Sequence, residues 1–186
     1  MPRLGVIVGR VREGRLGLPV AEWFAERATQ HGGFDVQLID LKAVGLPLLE
    51  EPNHPRLQRY TDERTKAWAA TVKAADAFVL VTPEYNYNTS PAIVNALDHV
   101  YVEWNYKAMG FVSYGGISGG MRAVQLLRQF AVSFKMVPVV EAVPIPFAAK
   151  LVDNGVFKGG AEYEKAAAAM LDEIAKWEGA LKTLRG

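Results

Sequence analysis

Apolar residues along this chain follow two rhythms that take turns. Short runs with little polar interruption, Leu4–Val8, Ala77–Val81, Met109–Ser113 and Val137–Val143, read as strands covered on both faces, and Phe34–Ile39 alternates as a further strand. Between them apolar residues return every three or four positions: Val20, Trp23, Phe24 and Ala28; then Trp68 and Val72 within Asp62–Ala74; then Ile93, Leu97, Val100 and Tyr101. The same spacing recurs in Val124, Leu127 and Phe130 between Met121 and about Phe134, and in Ala167, Met170, Leu171, Ile174, Trp177 and Leu181 within Tyr163–Leu184. Each of these stretches is predicted as a helix. The punctuation agrees. Gly32-Gly33 stops the first helix, and Ser90-Pro91 supplies an N-cap and a first-turn proline for the third. Two segments lack either rhythm: the Pro-containing connection from Asp40 to about Gln58, long enough to pack on a partner, and the Pro/Gly-rich segment Pro144–Gly160.

Five strand-helix alternations predict one α/β domain over residues 1–186, a parallel sheet with helices on both faces and ligands beyond the strands' carboxyl ends. Three unusual loops, Gly9–Gly17, Thr82–Thr89 and Tyr114–Gly120, each follow a strand and precede a helix. They are expected on one edge of the sheet.

Composition narrows the chemistry. Half of the 186 residues are hydrophobic, enough for a real core, and a formal charge of +1 argues against a dedicated nucleic-acid or polybasic membrane surface. The chain has no cysteine, which excludes disulfides, thiolate catalysis and zinc-thiolate or iron–sulfur sites, so redox chemistry would need a bound cofactor. No apolar segment approaches membrane-spanning length and the chain enters its first strand without a signal-peptide layout; a cytoplasmic protein without membrane insertion is expected.

The loop Gly9-Arg10-Val11-Arg12-Glu13-Gly14-Arg15-Leu16-Gly17 offers backbone N–H groups and three guanidinium groups where a phosphate could sit at a helix start. It nearly matches a P-loop, but Arg15 and Leu16 stand where that motif needs Lys and Ser or Thr. A dinucleotide fingerprint would find its acid in Asp40, yet the glycine spacing is absent and Asp40 reads as a turn residue. Gly116-Ile117-Ser118-Gly119-Gly120 is a literal Gly-x-Ser-x-Gly. A hydrolase of that type needs a histidine after the serine, whereas His31, His54 and His99 all precede Ser118 and read as solvent-facing or packing residues. Pro83-Glu84-Tyr85-Asn86 combines an aromatic ring and an amide beside close-approach glycines, which suits a flat, hydrogen-bonding ring system.

Taken together, Gly9-x-x-Arg12-x-Gly14-Arg15, Pro83-Glu84-Tyr85-Asn86-x3-Ser90-Pro91 with Asn95-Ala96-Leu97-Asp98, and Tyr114-Gly115-Gly116-x-Ser118-Gly119-Gly120 resemble the NADPH-dependent FMN reductase family of flavodoxin-like quinone, chromate and azo-dye reductases, from residue 4 to about 143. The resemblance implies a flavodoxin-like three-layer sandwich with a five-stranded parallel sheet in the order 2-1-3-4-5, bound FMN, NADPH or NADH as hydride donor, a small-molecule electron acceptor, and a homodimer or homotetramer sharing the flavin cleft. It implies that Gly9, Arg10, Arg12, Arg15, Leu16 and Gly17 hold the FMN phosphate, that Pro83, Glu84, Tyr85 and Asn86 line the isoalloxazine, and that Tyr114, Gly115, Gly116 and Ser118 cover its other side. The flavin N5 then carries the chemistry, with no catalytic side chain and no metal. The chain departs from the family at Arg10 and Glu13, where Ser and Pro are usual. Two other readings remain: an FMN-binding electron carrier without NAD(P)H turnover, and a serine hydrolase using Ser118. Tyr101, Trp104 and Tyr106, an aromatic cluster past the third helix, are expected at a subunit interface, with a core role as the alternative.

Overall fold

In a computed structural model, residues 1–14 and 16–185 are described; Arg15, expected at the phosphate, lies outside them. Five strands, β1 (Arg3–Val8), β2 (Asp35–Asp40), β3 (Ala77–Pro83), β4 (Ala108–Gly115) and β5 (Val137–Pro146), form one parallel sheet in the order β2-β1-β3-β4-β5. Register carries the carboxyl ends to a common edge: Val8 is opposite Val81, Pro83 opposite Tyr114, and Gly115 opposite Pro146.

Period-two alternation divides the core between the sheet's two faces. Val6, Val8, Val79, Val81 and Val112 pack with α1 (Gly17–His31) and α6 (Ala161–Arg185). Ile7, Phe78, Leu80 and Phe111 pack with α3 (Glu63–Ala74), α4 (Pro91–Asp98) and α5 (Met121–Ser133), which follow a single-turn α2 (Leu41–Val44). Every residue of β3 is buried, the fate of a central strand covered on both faces. Ser90 caps α4 and Gly32 ends α1 in the left-handed region, as the sequence indicates. Asp62 stands just before α3 and caps it, accepting from the Arg64 N–H at 2.7 Å.

The structure decides between alternatives at some positions and changes the reading at others. Trp104 is fully buried, its indole N–H donating to Leu97 O at 3.1 Å and its ring edge-on to Trp68 and Phe78, so it belongs to the core and not to an interface. His99 is also buried and pairs with Asn95 O through Nδ1. On α6 the inward row takes Glu178 in place of Trp177, which is 40% exposed; the Arg185 guanidinium, 2.7 Å from the Glu178 carboxylate, makes that burial tolerable. Within Pro144–Gly160, β5 extends to Pro146 and a hairpin forms from β6 (Val152–Asp153) and β7 (Val156–Phe157), its Phe157 ring edge-on to Trp23 at 4.9 Å. The connection after β2 is held by its own chain: Asp40 caps α2, and the Asn95 amide donates to Pro47 O at 2.7 Å and accepts from the Leu49 N–H at 3.1 Å.

Lys107 lies just before β4 at the opposite edge of the sheet and is 95% buried, its ammonium donating to Val72 O at 2.7 Å and Lys73 O at 3.3 Å at the end of α3. Burial, with the nearby Arg185 charge, pushes its pKa down to about 8. The folded state therefore sheds this proton earlier than the unfolded chain does, and stability gained through Lys107 rises with pH above 8. Relative to Lys107→Met, the wild-type protein should gain about 2 kcal/mol between pH 7 and 9.5 in urea-unfolding titrations; parallel pH profiles for the two proteins would refute the assignment.

Candidate active site

Loops following β1, β3, β4 and β5 meet at the carboxyl edge around a cavity of about 340 Å³. This is where an open α/β sheet places its ligands. Arg10 and Leu16 come from the first loop, Pro83, Glu84 and Tyr85 from the second, Tyr114, Gly115 and Gly116 from the third. Eight of the residues singled out in the sequence are thus brought together in one wall-to-wall cleft.

The others stand around it. Gly9 donates its N–H to Val81 O at 3.0 Å and accepts from the Ser90 hydroxyl at 2.5 Å, and a Cβ there would overlap the Ile93 side chain. Gly17 opens α1 beneath the Tyr114 hydroxyl, where a Cβ would collide with that oxygen. Arg12 is exposed, its guanidinium carbon 6.0 Å from the centre of the Tyr85 ring. Asn86 lies outside the cavity lining: with Tyr87 it makes a two-residue turn, both at positive φ, closed by reciprocal 2.8 Å hydrogen bonds between Tyr85 and Asn88. Glu13 reaches away to form an ion pair with Lys42.

Ser118 sits one contact behind the wall. Its hydroxyl donates to Glu84 Oε2 at 2.7 Å and accepts from the Gly120 N–H at 3.3 Å. The Arg122 guanidinium grips the other oxygen, Oε1, with Nε at 2.6 Å and a terminal nitrogen at 2.5 Å. Burial pushes the Glu84 carboxyl up, but the Ser118 and Arg122 hydrogen bonds outweigh it and hold the group below its ordinary 4.5. Such a carboxylate is a weak base. The serine has spent its proton on it, and no histidine shares a hydrogen bond with Ser118 among the described residues: His31 pairs with Asp172, His54 caps a 3₁₀ turn, and His99 is on Asn95. The arrangement is not a nucleophile with its base.

Two buried polar atoms on the lining residues, Arg10 Nε and the Tyr85 hydroxyl, have no hydrogen-bond partner among the described residues. At Gly116 a Cβ would meet nothing within 4 Å, so this backbone borders open space. The segment after β5, Phe147 to Lys150, forms the remaining wall and was not singled out from sequence. Its signal was available: an aromatic and a lysine just past a strand that ends on the same edge. Among the described residues no group of three His, Asp or Glu side chains is placed to hold a metal, and no helix is long and apolar enough to cross a membrane.

Strand order 2-1-3-4-5 with a ligand-sized cleft at the carboxyl edge defines a flavodoxin-like α/β protein. Residues 2–150 match the NADPH-dependent FMN reductase family, and the chain belongs to it. An NAD(P)H-dependent FMN reductase of Schizosaccharomyces pombe is 39% identical over 148 residues, covering 78% of this chain and 74% of that protein. A probable NADPH:quinone oxidoreductase of Oryza sativa is 41% identical over a shorter stretch of 70 residues, 36% of this chain and 34% of its own. Among solved structures, FerB, a flavoenzyme NAD(P)H:(acceptor) oxidoreductase from Paracoccus denitrificans, shares the fold with a TM-score of 0.75 at 19% identity, over 97% of this chain and 98% of that one. The protein is an oxidoreductase that works with FMN and NAD(P)H.

Glu84 makes the site's electrostatics testable without any ligand. Because its folded pKa is depressed, the stability it contributes is present above its ordinary value and is lost as pH falls through the folded one. Glu84→Gln should destabilise the protein at pH 7, and the difference from wild type should narrow as pH falls below 4.5 in denaturant titrations. A deficit that stays constant down to the lowest pH at which both proteins fold would mean that packing, not charge, supplies it.

Proposed function

We propose that the carboxyl-edge cleft holds the FMN and that the enzyme passes two electrons from NADPH or NADH, through it, to a small flat acceptor such as a quinone. The observation that carries this reading is the pair of buried polar atoms, Arg10 Nε and the Tyr85 hydroxyl, left without partners on one ligand-sized cleft. Buried polar groups are nearly always paired, and a ligand with a phosphate, a polyol chain and a polar ring edge offers what these two lack. Arg10 and Arg12, with the N–H groups that open α1, suit the phosphate; Arg15 and Gly17 are assigned to it by sequence. Pro83, Glu84 and Tyr85 are the ring-side residues on one wall and Tyr114, Gly115 and Gly116 those on the other, with Asn86 in the turn beyond the first wall and Ser118 behind it on Glu84.

When bound, FMN supplies the hydride-accepting and electron-donating chemistry. The protein's part is to orient. Gly116 lets backbone approach the ring, and Glu84 keeps the two walls in register through Ser118 and Arg122. The similarity to a probable NADPH:quinone oxidoreductase of Oryza sativa favours a quinone as acceptor. A homodimer or homotetramer in the cytoplasm is part of the same proposal, as is a single domain over residues 1–186.

FMN-reconstituted protein should show flavin absorption that bleaches with NADPH under anaerobic conditions and returns on adding quinone; colourless protein under FMN saturation sinks the reading. Gly116→Val is the sharper probe, since its side chain enters the cleft and touches nothing else. Its melting temperature should stay within about 2 °C of wild type while FMN affinity falls more than roughly tenfold. Ser118→Ala should lose at most about tenfold in FMN affinity and keep NADPH-driven reduction. Wild-type FMN binding by the valine variant would falsify the placement of the ring.

A further inference from the structure

Phe147 is the one large apolar side chain at the cleft that the fold leaves half in water, 49% exposed, while its neighbour Ala148 is buried. Its backbone is fixed on both sides. The N–H donates to Gly116 O at 3.1 Å and the carbonyl accepts from the Lys150 N–H at 2.8 Å, so the residue is clamped to the glycine loop that forms the facing wall. It is held at φ 51°, ψ 38°, the left-handed region. A bulky side chain is strained there, and glycine would not be.

Among the described residues no other aromatic ring pairs with that of Phe147, and the Lys150 ammonium stands 5.3 Å from its centre. The result is a flat apolar surface on a fixed stretch of main chain, half exposed at the cleft and beside a cation. Such a surface offers a face on which a second flat ring can stack.

The geometry points to Phe147 as the aromatic wall on which the flat second substrate, a quinone, docks. This assignment rests on the reading of the cleft as the FMN site. In the reaction the quinone takes up two electrons and two protons from the reduced cofactor and leaves as the hydroquinone. Ferricyanide, an octahedral ion with no ring to stack, takes one electron at a time; two ions are consumed per turnover and the two protons pass to solvent. The two acceptors therefore differ in their need for Phe147 and not in their electron source.

The test uses FMN-loaded protein in its oxidised form, where a quinone binds without reacting. Affinity for 1,4-naphthoquinone is measured by titration calorimetry for wild type, Phe147→Leu and Phe147→Tyr, alongside FMN affinity and melting temperature. Leucine keeps apolar bulk and the same backbone strain but has no flat face. Its naphthoquinone Kd should rise about five- to tenfold, well beyond any change in its FMN Kd, whereas tyrosine should stay within about twofold of wild type. Reoxidation of the dithionite-reduced leucine variant should slow more with naphthoquinone than with ferricyanide. Unchanged naphthoquinone affinity in a leucine variant that holds FMN normally overturns this assignment alone. An equal loss of naphthoquinone and FMN affinity also overturns it, by making Phe147 part of the flavin's own wall. A wild-type protein that takes up no FMN overturns the reading of the cleft and this assignment with it.

Discussion

A carboxylate withdrawn from water keeps its charge only if other groups replace the water, and Glu84 obtains all of its replacements from the segment after β4. One oxygen takes the Ser118 hydroxyl and the Arg122 N–H, the other the Arg122 guanidinium. The strand-end loops after β3 and β4 are thereby a single unit. Arg122, so anchored, stacks 3.7 Å from the centre of the Tyr87 ring, which extends the tie to the outer tip of the β3 turn. Removing the carboxylate would release the serine and the arginine together, and with the arginine its stacking on Tyr87, so this one charge in the lining ties together groups on both walls.

The fold was legible because its determinants are local. Apolar runs made the strands, three-to-four spacing made the helices, and capping residues at Ser90 and Gly32 marked helix ends. Of the site, the residues on the three glycine- or proline-bearing loops could be read for the same reason, since each loop follows a strand and parallel strands end on one edge. What escaped was of two kinds. The hairpin at Val152–Phe157 carried the Asn154-Gly155 pair, both at positive φ in the turn, a strong hairpin signal obscured by strands only two residues long. Trp104, Trp177 and Glu178 could not be read, because burial there is decided by partners distant in sequence or two turns away: Trp68, Phe78 and the Arg185 guanidinium. The Ser118–Glu84 bond belongs to this second kind, joining residues 34 positions apart.

The two departures from the family pattern have separate fates. Glu13, a carboxylate added to a loop meant for an anion, is turned outward onto Lys42, and its charge is neutralised away from the cleft. Arg10 turns inward and lines it, with a buried Nε that no described residue satisfies. A serine at that position would offer a hydroxyl within short reach. An arginine offers a full charge on a longer stem, and it becomes comfortable only when something polar arrives.

The last strand of the sheet has a consequence of a different sort. Against β4, the register of β5 jumps from Pro138 to Ala142, and Arg128 from α5 donates to the Val139 and Val140 carbonyls at 2.6 and 2.9 Å. The bulge bends this border and the guanidinium occupies carbonyls that a passing strand would need. Prolines at 138, 144 and 146 withhold further donors. These features oppose extension of the sheet along β5 by backbone pairing with another strand.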